Sequence, residues 1–499
     1  MKRSLTLAKF LALAMAMLML VAVVASCAQP GDDDIAADTT TAAVQDPNTP
    51  ADTNNPGDET TTATAETEPP YEYADVNYGG ADFMILNAED RYNMIYHITI
   101  DDITGDKLED ERYAVNADIQ DQYGIVIKET SIPYADIQVY AQNEILSGNG
   151  VHDVFYLAVK QIAALMSQGH MQNLLDIEQF DPEDEWWDQL LVDGGMLNDK
   201  YLYYLGGNYH LQAFEGTTCF YFNKRMMTDL GLEFPYQMVR DGKWTLDKLY
   251  EYAGVAANLN GDESFDKDSA PNAIYGYAGI TNMMPAFIMG CDAYYVEKDE
   301  NGYPVIAFTS ERFTNACEKI AKFTSSAGLY VTDTTLSIFQ SGRALFMGSE
   351  IKAAANEMRE MPDEFGLLPI PKYDDAQEKY IANLFWATHL LSIPATCKDS
   401  ERAAIVMDAL NYEANERVMP LYYERVCYKG LRDDDSIEML QLIRDGRYLN
   451  WGLAYGWLDS VEPGVHAQLL AGNGNVASLI KAGNKVVNTL IGKTMKSFE

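Results

Sequence analysis

Basic residues are scarce in this chain: 36 Lys and Arg stand against 75 Asp and Glu in 499 residues, a formal net charge of -39. A surface of that sign repels phosphate backbones and anionic headgroups, so nucleic acid is a poor partner, and the same charge serves simply to keep a protein soluble. Cysteine is also sparse. Cys27, Cys219, Cys291, Cys317, Cys397 and Cys427 are scattered, with no C-x-x-C pair and no cluster with His, which argues against a zinc site and against a dense disulfide framework. A Cys397–Cys427 bridge is one pairing that the sequence leaves open. The six histidines (His97, His152, His170, His210, His389, His466) are isolated and are expected to be structural. H-E-x-x-H, G-x-S-x-G and Walker sequences are missing too, which removes the enzyme classes they announce, and no cofactor is expected. A glycosidase that works with two carboxylates survives as an alternative, because pairs of acids at catalytic separation arise by chance among 75. What remains is ordinary globular material, 47% hydrophobic and 22% charged, long enough for two or three domains.

No apolar run reaches membrane-spanning length. Lys2, Arg3 and Lys9 precede a stretch from Phe10 to Val24 of about 15 residues, short of the roughly 20 that a spanning helix needs. A positive start and a short apolar stretch make residues 1–26 a secretory signal peptide. It ends in Val24-Ala25-Ser26-Cys27, which resembles the bacterial lipobox and implies cleavage before Cys27, whose lipid supplies two chains, enough for stable anchoring. Residues 28–70 contain no Lys or Arg and almost no large apolar side chain. Such a segment cannot bury enough surface to offset its ordering entropy, so 27–70 reads as the lipidated Cys and a disordered acidic tether. As a coil of about 43 residues it spans roughly 35–40 Å. A long tether behind a lipid anchor suggests the outer face of a Gram-positive membrane.

From Tyr71 onward strands and helices alternate, the pattern of an α/β fold. Strands are expected at 82–86, 125–127 and 153–157, and helices at about 108–123, 134–146 and 160–167, with Gly124 and Gly169 as stops. Thr245 is placed to cap a helix whose Leu246, Leu249, Tyr250 and Ala253 share a face. Val476, Leu479, Ile480, Gly483, Val486, Val487, Leu490 and Ile491 mark an amphipathic C-terminal helix.

Several segments, in order, resemble the family 1 extracellular solute-binding proteins of ABC importers. They are Tyr123-Gly124-Ile125-Val126-Ile127, Val151-His152-Asp153-Val154-Phe155, Tyr221-Phe222-Asn223-Lys224, Trp244-Thr245-Leu246-Asp247-Lys248-Leu249 and Phe339-Gln340-Ser341-Gly342-Arg343-Ala344-Leu345-Phe346-Met347. Gly366-Leu367-Leu368-Pro369-Ile370-Pro371 and Leu391-Ser392-Ile393-Pro394-Ala395 complete the series. The resemblance runs from about Tyr71 to Lys493. It implies a two-lobed periplasmic-binding-protein-like α/β fold (type II), with a ligand cleft between lobes that close by a hinge. The N-terminal lobe is expected at 71–214 with about 392–425 returning to it. The C-terminal lobe is expected at 215–391, completed by about 440–499. Crossings between them are expected near Phe214–Phe220 and Thr388–Ser392.

By the same resemblance, ligand contacts are expected at Asn87, Glu89 and Asp90 after the first strand. Lys160 and Gln161 follow the third strand, where a maltose-binding member carries Asp and Arg, and Leu157 stands where that member carries Trp, which argues against maltose. Glu215, Ser349, Glu350, Trp386, Trp451 and Trp457 complete the set. Sugars call for this mixture, since aromatic rings take their C–H faces and carboxylates take their hydroxyls, although core packing uses the same aromatic residues. Trp186-Trp187, among acidic residues, is expected at the surface or the cleft rim. The implied function is capture of a small solute, an oligosaccharide first, by a monomer that hands it to ABC permease subunits and meets the membrane through its lipid alone. A surface glycan-binding adhesin is the other alternative.

Asn258, Asn260, Asp262, Ser264 and Asp266 resemble a calcium loop with oxygens at alternating positions. Glu263 stands at the sixth place and Ser269 at the twelfth, where a Gly and a bidentate Glu belong, so a polar surface loop is the expectation.

Overall fold

A computed structural model describes residues 71–89, 97–100, 102–431 and 433–498, with backbone alone at 281 and 427–429. The expected signal peptide, Cys27, the tether, Asp90 and the side chain of Cys427 lie outside the described residues.

The chain opens with β1 (Ala81–Ala88), then α1 (Lys107–Tyr123), β2 (Ile125–Ile132), α2 (Ile137–Ser147), β3 (Val154–Ala158) and α3 (Val159–Met166). The turn from α1 to β2 needs a left-handed residue, and Gly124 supplies it with φ 60. A Cβ at that position would also come within 2.5 Å of the Asn77 side chain. Asp106 caps α1 by accepting from the Leu108 and Glu109 amides. Beyond α3 lie α4 (Gln189–Gly195) and α5 (Gln212–Glu215), after which the chain enters a second sheet.

That sheet begins with β4 (Thr218–Asn223), followed by α6 (Leu246–Ala256), β5 (Tyr275–Gly279), α7 (Met284–Gly290), α8 (Glu311–Ser325), β6 (Tyr330–Thr332), β7 (Ala344–Glu350) and β8 (Phe365–Leu368). Thr245 caps α6 by accepting from the Lys248 amide. The chain returns through β9 (Ala382–Asn383) and β10 (His389–Ser392), and α9 (Ser400–Glu413) follows. Residues 414–418 and 424–431 are wound as π-helix on either side of the α-helical turn Met419–Tyr423. The chain ends with α10 (Asp434–Asp445), β11 (Arg447–Tyr448), α11 (Trp451–Ala454), α12 (Glu462–Leu470) and α13 (Ala477–Phe498).

Two sheets result. One has the order β10-β3-β1-β2 and the other β8-β4-β7-β5-β6, and β9 pairs with β11 in a short ribbon. β1 runs parallel to β2 and β3, and β5 to β6 and β7, while β10 on β3, β4 on β7 and β8 on β4 pair antiparallel. Their faces are covered on both sides, which explains why β3, β5 and β7 are buried at every residue rather than alternating. The chain passes between the sheets three times, through 205–217, through 383–389 and through the mixed helix 414–431. The C-terminal stretch serves both lobes: α11 packs against α3 and α12 against α7 and α8.

Tyr71 and Tyr73 are pinned to α9. Tyr71 stacks on Tyr412 at 4.1 Å and donates to Asp408, while Tyr73 donates to Glu413. Asp408 also accepts from Trp186 Nε1 at 2.6 Å.

Candidate functional site

The first two links lie side by side. The Phe385 amide donates to the Gly216 carbonyl at 2.8 Å, Thr217 bridges Leu384, Thr218 Oγ1 donates to the Asn383 carbonyl at 2.9 Å, and the His389 amide donates to Gln212 Oε1 at 3.0 Å. Gly216 is required here, because a Cβ would lie 2.4 Å from Thr388 Oγ1. His210 and His389 are buried beside these links, and His210 stacks on Tyr156 at 4.3 Å. Burial keeps both neutral: His389 is pushed down to about 4 and His210 is lowered well below its usual value, with His389 and Arg112 adding to the effect on His210.

In an open parallel sheet, ligands gather at the carboxyl ends of the strands. In the second sheet, β7 ends there in Glu350. The Glu350 carboxylate and the Lys352 ammonium are both about nine-tenths buried or more and 3.7 Å apart, too far for a hydrogen bond. Among the described residues no hydrogen bond reaches either group. Thr217 accepts from the Ile351 amide at 3.0 Å through its carbonyl, and its fully buried hydroxyl has no partner. Burial pushes Glu350 up to about 7, with Glu357 and Glu215 adding to the rise and Lys352 opposing it. Glu357 contributes a buried oxygen, Oε2, without a partner. A charged pair this dry is costly unless something completes its hydrogen bonds.

On the first sheet the strand ends bring up Tyr134 and, from the second link, Trp386. Trp386 is partly buried and meets Tyr134 edge to face at 6.0 Å; His389 meets Tyr134 likewise at 5.8 Å. Lys160, exposed at the start of α3, lies 3.2 Å from Asp459, just ahead of α12. Both partners are more than half exposed, so this contact adds little stability and can open.

The structure thus brings together Glu215, Ser349, Glu350 and Trp386 at the junction of the lobes and sets Glu89 and Lys160 at exposed positions nearby. The other predicted residues have different surroundings. Asn87 is fully buried and donates to Glu129 at 2.9 Å, and Glu129 in turn accepts from the Ile98 and Thr99 amides. Gln161 caps α3, accepting from the Ala158 amide and donating to the Tyr134 carbonyl. Trp451 lies in the core under Lys298, whose ammonium is 4.0 Å from its ring, and Trp457 is buried with Nε1 donating to Thr494 at 2.9 Å. Trp187 is buried, while Trp186 is partly buried against Tyr71. Lys352, Glu357 and Thr217 escaped the sequence reading, although Lys352 stands only two places beyond Glu350.

The calcium-like loop is closed on itself. Asp262 accepts from the Asn272 and Ala273 amides, both at 2.7 Å, and these bonds lower its pKa against the effect of burial. Asn258 accepts from the Asn260 amide and Ser264 from the Asp266 amide. Among the described residues no group of three His, Cys, Asp or Glu could hold a metal ion. Cys219, Cys291, Cys317 and Cys397 are free thiols.

Two α/β lobes on three links, with unsatisfied polar groups and an aromatic wall at their junction, define a two-lobed binding protein. The family described as bacterial extracellular solute-binding protein matches residues 105–415, and the chain belongs to that family. It is a family of exported binding proteins. The fold is similar to that of the ABC substrate-binding protein Lmo0181 from Listeria monocytogenes in complex with cycloalternan, at 12% identity, covering 83% of this chain and 99% of that one, with a TM-score of 0.56. It is similar to the maltose/maltodextrin-binding domain MalE from Bdellovibrio bacteriovorus bound to maltotriose (14%, 83% and 100%, 0.53). It is also similar to the cyclic alpha-maltosyl-1,6-maltose binding protein from Arthrobacter globiformis (13%, 83% and 99%, 0.57). No curated protein sequence matches the chain. Among the described residues no helix is long and apolar enough to cross a membrane.

Proposed function

We propose that the protein captures an oligosaccharide between its lobes and delivers it to the permease of an ABC importer, held outside the cell by a lipid on Cys27. The observation that carries this reading is the junction itself. Glu350 and Lys352 lack hydrogen bonds that a ligand's hydroxyls can make, and Trp386 with Tyr134 offers rings within the same region. The carbohydrate complexes of fold relatives support the solute class. Capture by lobe closure works only through a ligand's differential affinity for the closed form. The protein acts as a monomer, on the outer face of a Gram-positive membrane, with no chemical change to its solute.

A thermal-shift screen over sugars, oligosaccharides and peptides tests the reading, because a ligand that binds only the native form raises the melting temperature. The expected hit is an oligosaccharide, weakened by Trp386→Ala. A hit confined to peptides rejects the sugar assignment, and consumption of the bound sugar rejects the binding role. Cys27→Ala is expected to release the protein from cells into the medium.

A further inference from the structure

We infer that the floor formed by Glu350, Lys352 and Glu357 selects saccharides that carry a protonated amine over neutral ones of the same length. The inference rests on the oligosaccharide reading above and narrows it.

The floor holds two carboxylates and one ammonium at the end of β7 and in the turn that follows. Glu350 and Lys352 are 4% and 5% exposed. Ordinary buried ion pairs close to hydrogen-bond distance and fill their remaining valences from backbone or side-chain donors. This pair stops at 3.7 Å. Among the described residues it has no further donor or acceptor, and Glu357 Oε2 beside it is buried without a partner as well. Glu357 Oε2 therefore lacks a donor close to the one cation, Lys352, that faces Glu350. The Thr217 hydroxyl, fully buried and unpartnered, adds an oxygen that can accept one more hydrogen bond.

The missing element is a donor with positive charge. An ammonium supplies three N–H donors and a positive charge beside Glu350, on which the acidic Glu357 and Glu215 both act. A neutral hydroxyl supplies one donor and no charge. Glu350 shows the strain of that shortage, since it is pushed up to about 7 by burial and by its acidic neighbours despite Lys352. A bound ammonium would return it to the ionised form. A sugar bearing a carboxylate or sulfate would add a third negative group to the same space, so the preference has a definite sign.

The test is calorimetry at about pH 6 with two probes of one backbone: the fully deacetylated glucosamine tetramer, which is cationic, and its N-acetylated counterpart, which is neutral. The cationic tetramer is expected to bind at least about tenfold tighter to the wild type. Glu350→Gln should bring the two affinities within about twofold of each other, and Lys352→Met should widen the gap by removing the competing ammonium. Thermal melts show that each variant is folded, and Lys352→Met keeps the test open if Glu350→Gln is not. Equal or tighter binding of the neutral tetramer by the wild type overturns this inference and leaves the oligosaccharide reading standing. A preference that survives in Glu350→Gln places the selection elsewhere and also overturns it. Binding of neither tetramer, with no hit in the wider carbohydrate screen, overturns both.

Discussion

Glu350→Gln gives a direct measure of how dry the floor is. The substitution keeps the shape of the side chain and removes its titration. In the folded protein burial raises the Glu350 pKa from 4.5 to about 7. The folded state therefore holds this proton more tightly than the unfolded chain does. Stability from the group is complete below about 4.5 and is lost as the pH rises through about 7. At about 1.4 kcal/mol per pH unit the full loss is about 3 kcal/mol, reached near pH 8. His389 and His466, both held down to about 4 by burial, contribute a slope of opposite sign below their ordinary 6.5. That slope is common to wild type and variant and cancels in their difference. The cost of leaving Lys352 without its counter-ion in the variant does not depend on pH and only offsets the difference by a constant. Urea unfolding of both proteins without ligand, at intervals from about pH 4.5 to 8, reads the result. The variant should gain about 3 kcal/mol on the wild type across that range. A difference that stays constant with pH means that Glu350 is solvated in the free protein, and the reasoning about its unmet hydrogen bonds fails.

Arg447 and Asp188 form a bidentate pair at 2.7 and 2.8 Å with side chains 9% exposed, so Arg447→Ala should cost about 3–5 kcal/mol in urea melts, and Arg447→Lys should recover only part of it. Trp457→Phe loses the bond to Thr494 and should lower stability by about 1 kcal/mol while solute affinity in calorimetry stays unchanged. Asp262→Ala should lower the melting temperature, because three N–H donors lose their acceptor, and calcium should give no heat with either wild type or variant.

The regular parts of the fold were legible because local chemistry wrote them. Gly124 ends α1 where a left-handed residue is needed, Thr245 caps α6, and of the repeating apolar positions Gly483, Val487 and Ile491 form the buried side of α13 while Val486 is exposed. Strand cores were found but their ends were placed short: β2 continues to Ile132 through Lys128, Glu129 and Thr130, polar residues that pairing with β1 holds in strand form. The site was harder to read for a related reason. Asn87 and Gln161 are polar residues near strand ends, the signature of ligand contacts, yet one is spent holding Glu129 and the other capping α3. Trp451 and Trp457 have the composition of a sugar platform and the burial of a core. Which polar group is satisfied within the protein and which is left wanting depends on neighbours distant in sequence. For that reason Lys352 and Thr217, unremarkable as letters, emerge only when the links are seen side by side.

The third link has a bearing on how this molecule tolerates change. Each π-wound stretch, 414–418 and 424–431, accommodates residues at more than the ordinary 3.6 per turn. The extra residue is what widens the turn, so losing one residue there and relaxing to standard pitch would leave all that follows facing much as before, whereas the same loss in a regular α-helix swings it by about 100°. Met439, Leu440 and Ile443, which α10 buries, would then keep their seats, so a single-residue deletion in either π-wound stretch should be far more forgiving than one inside a regular helix such as α1.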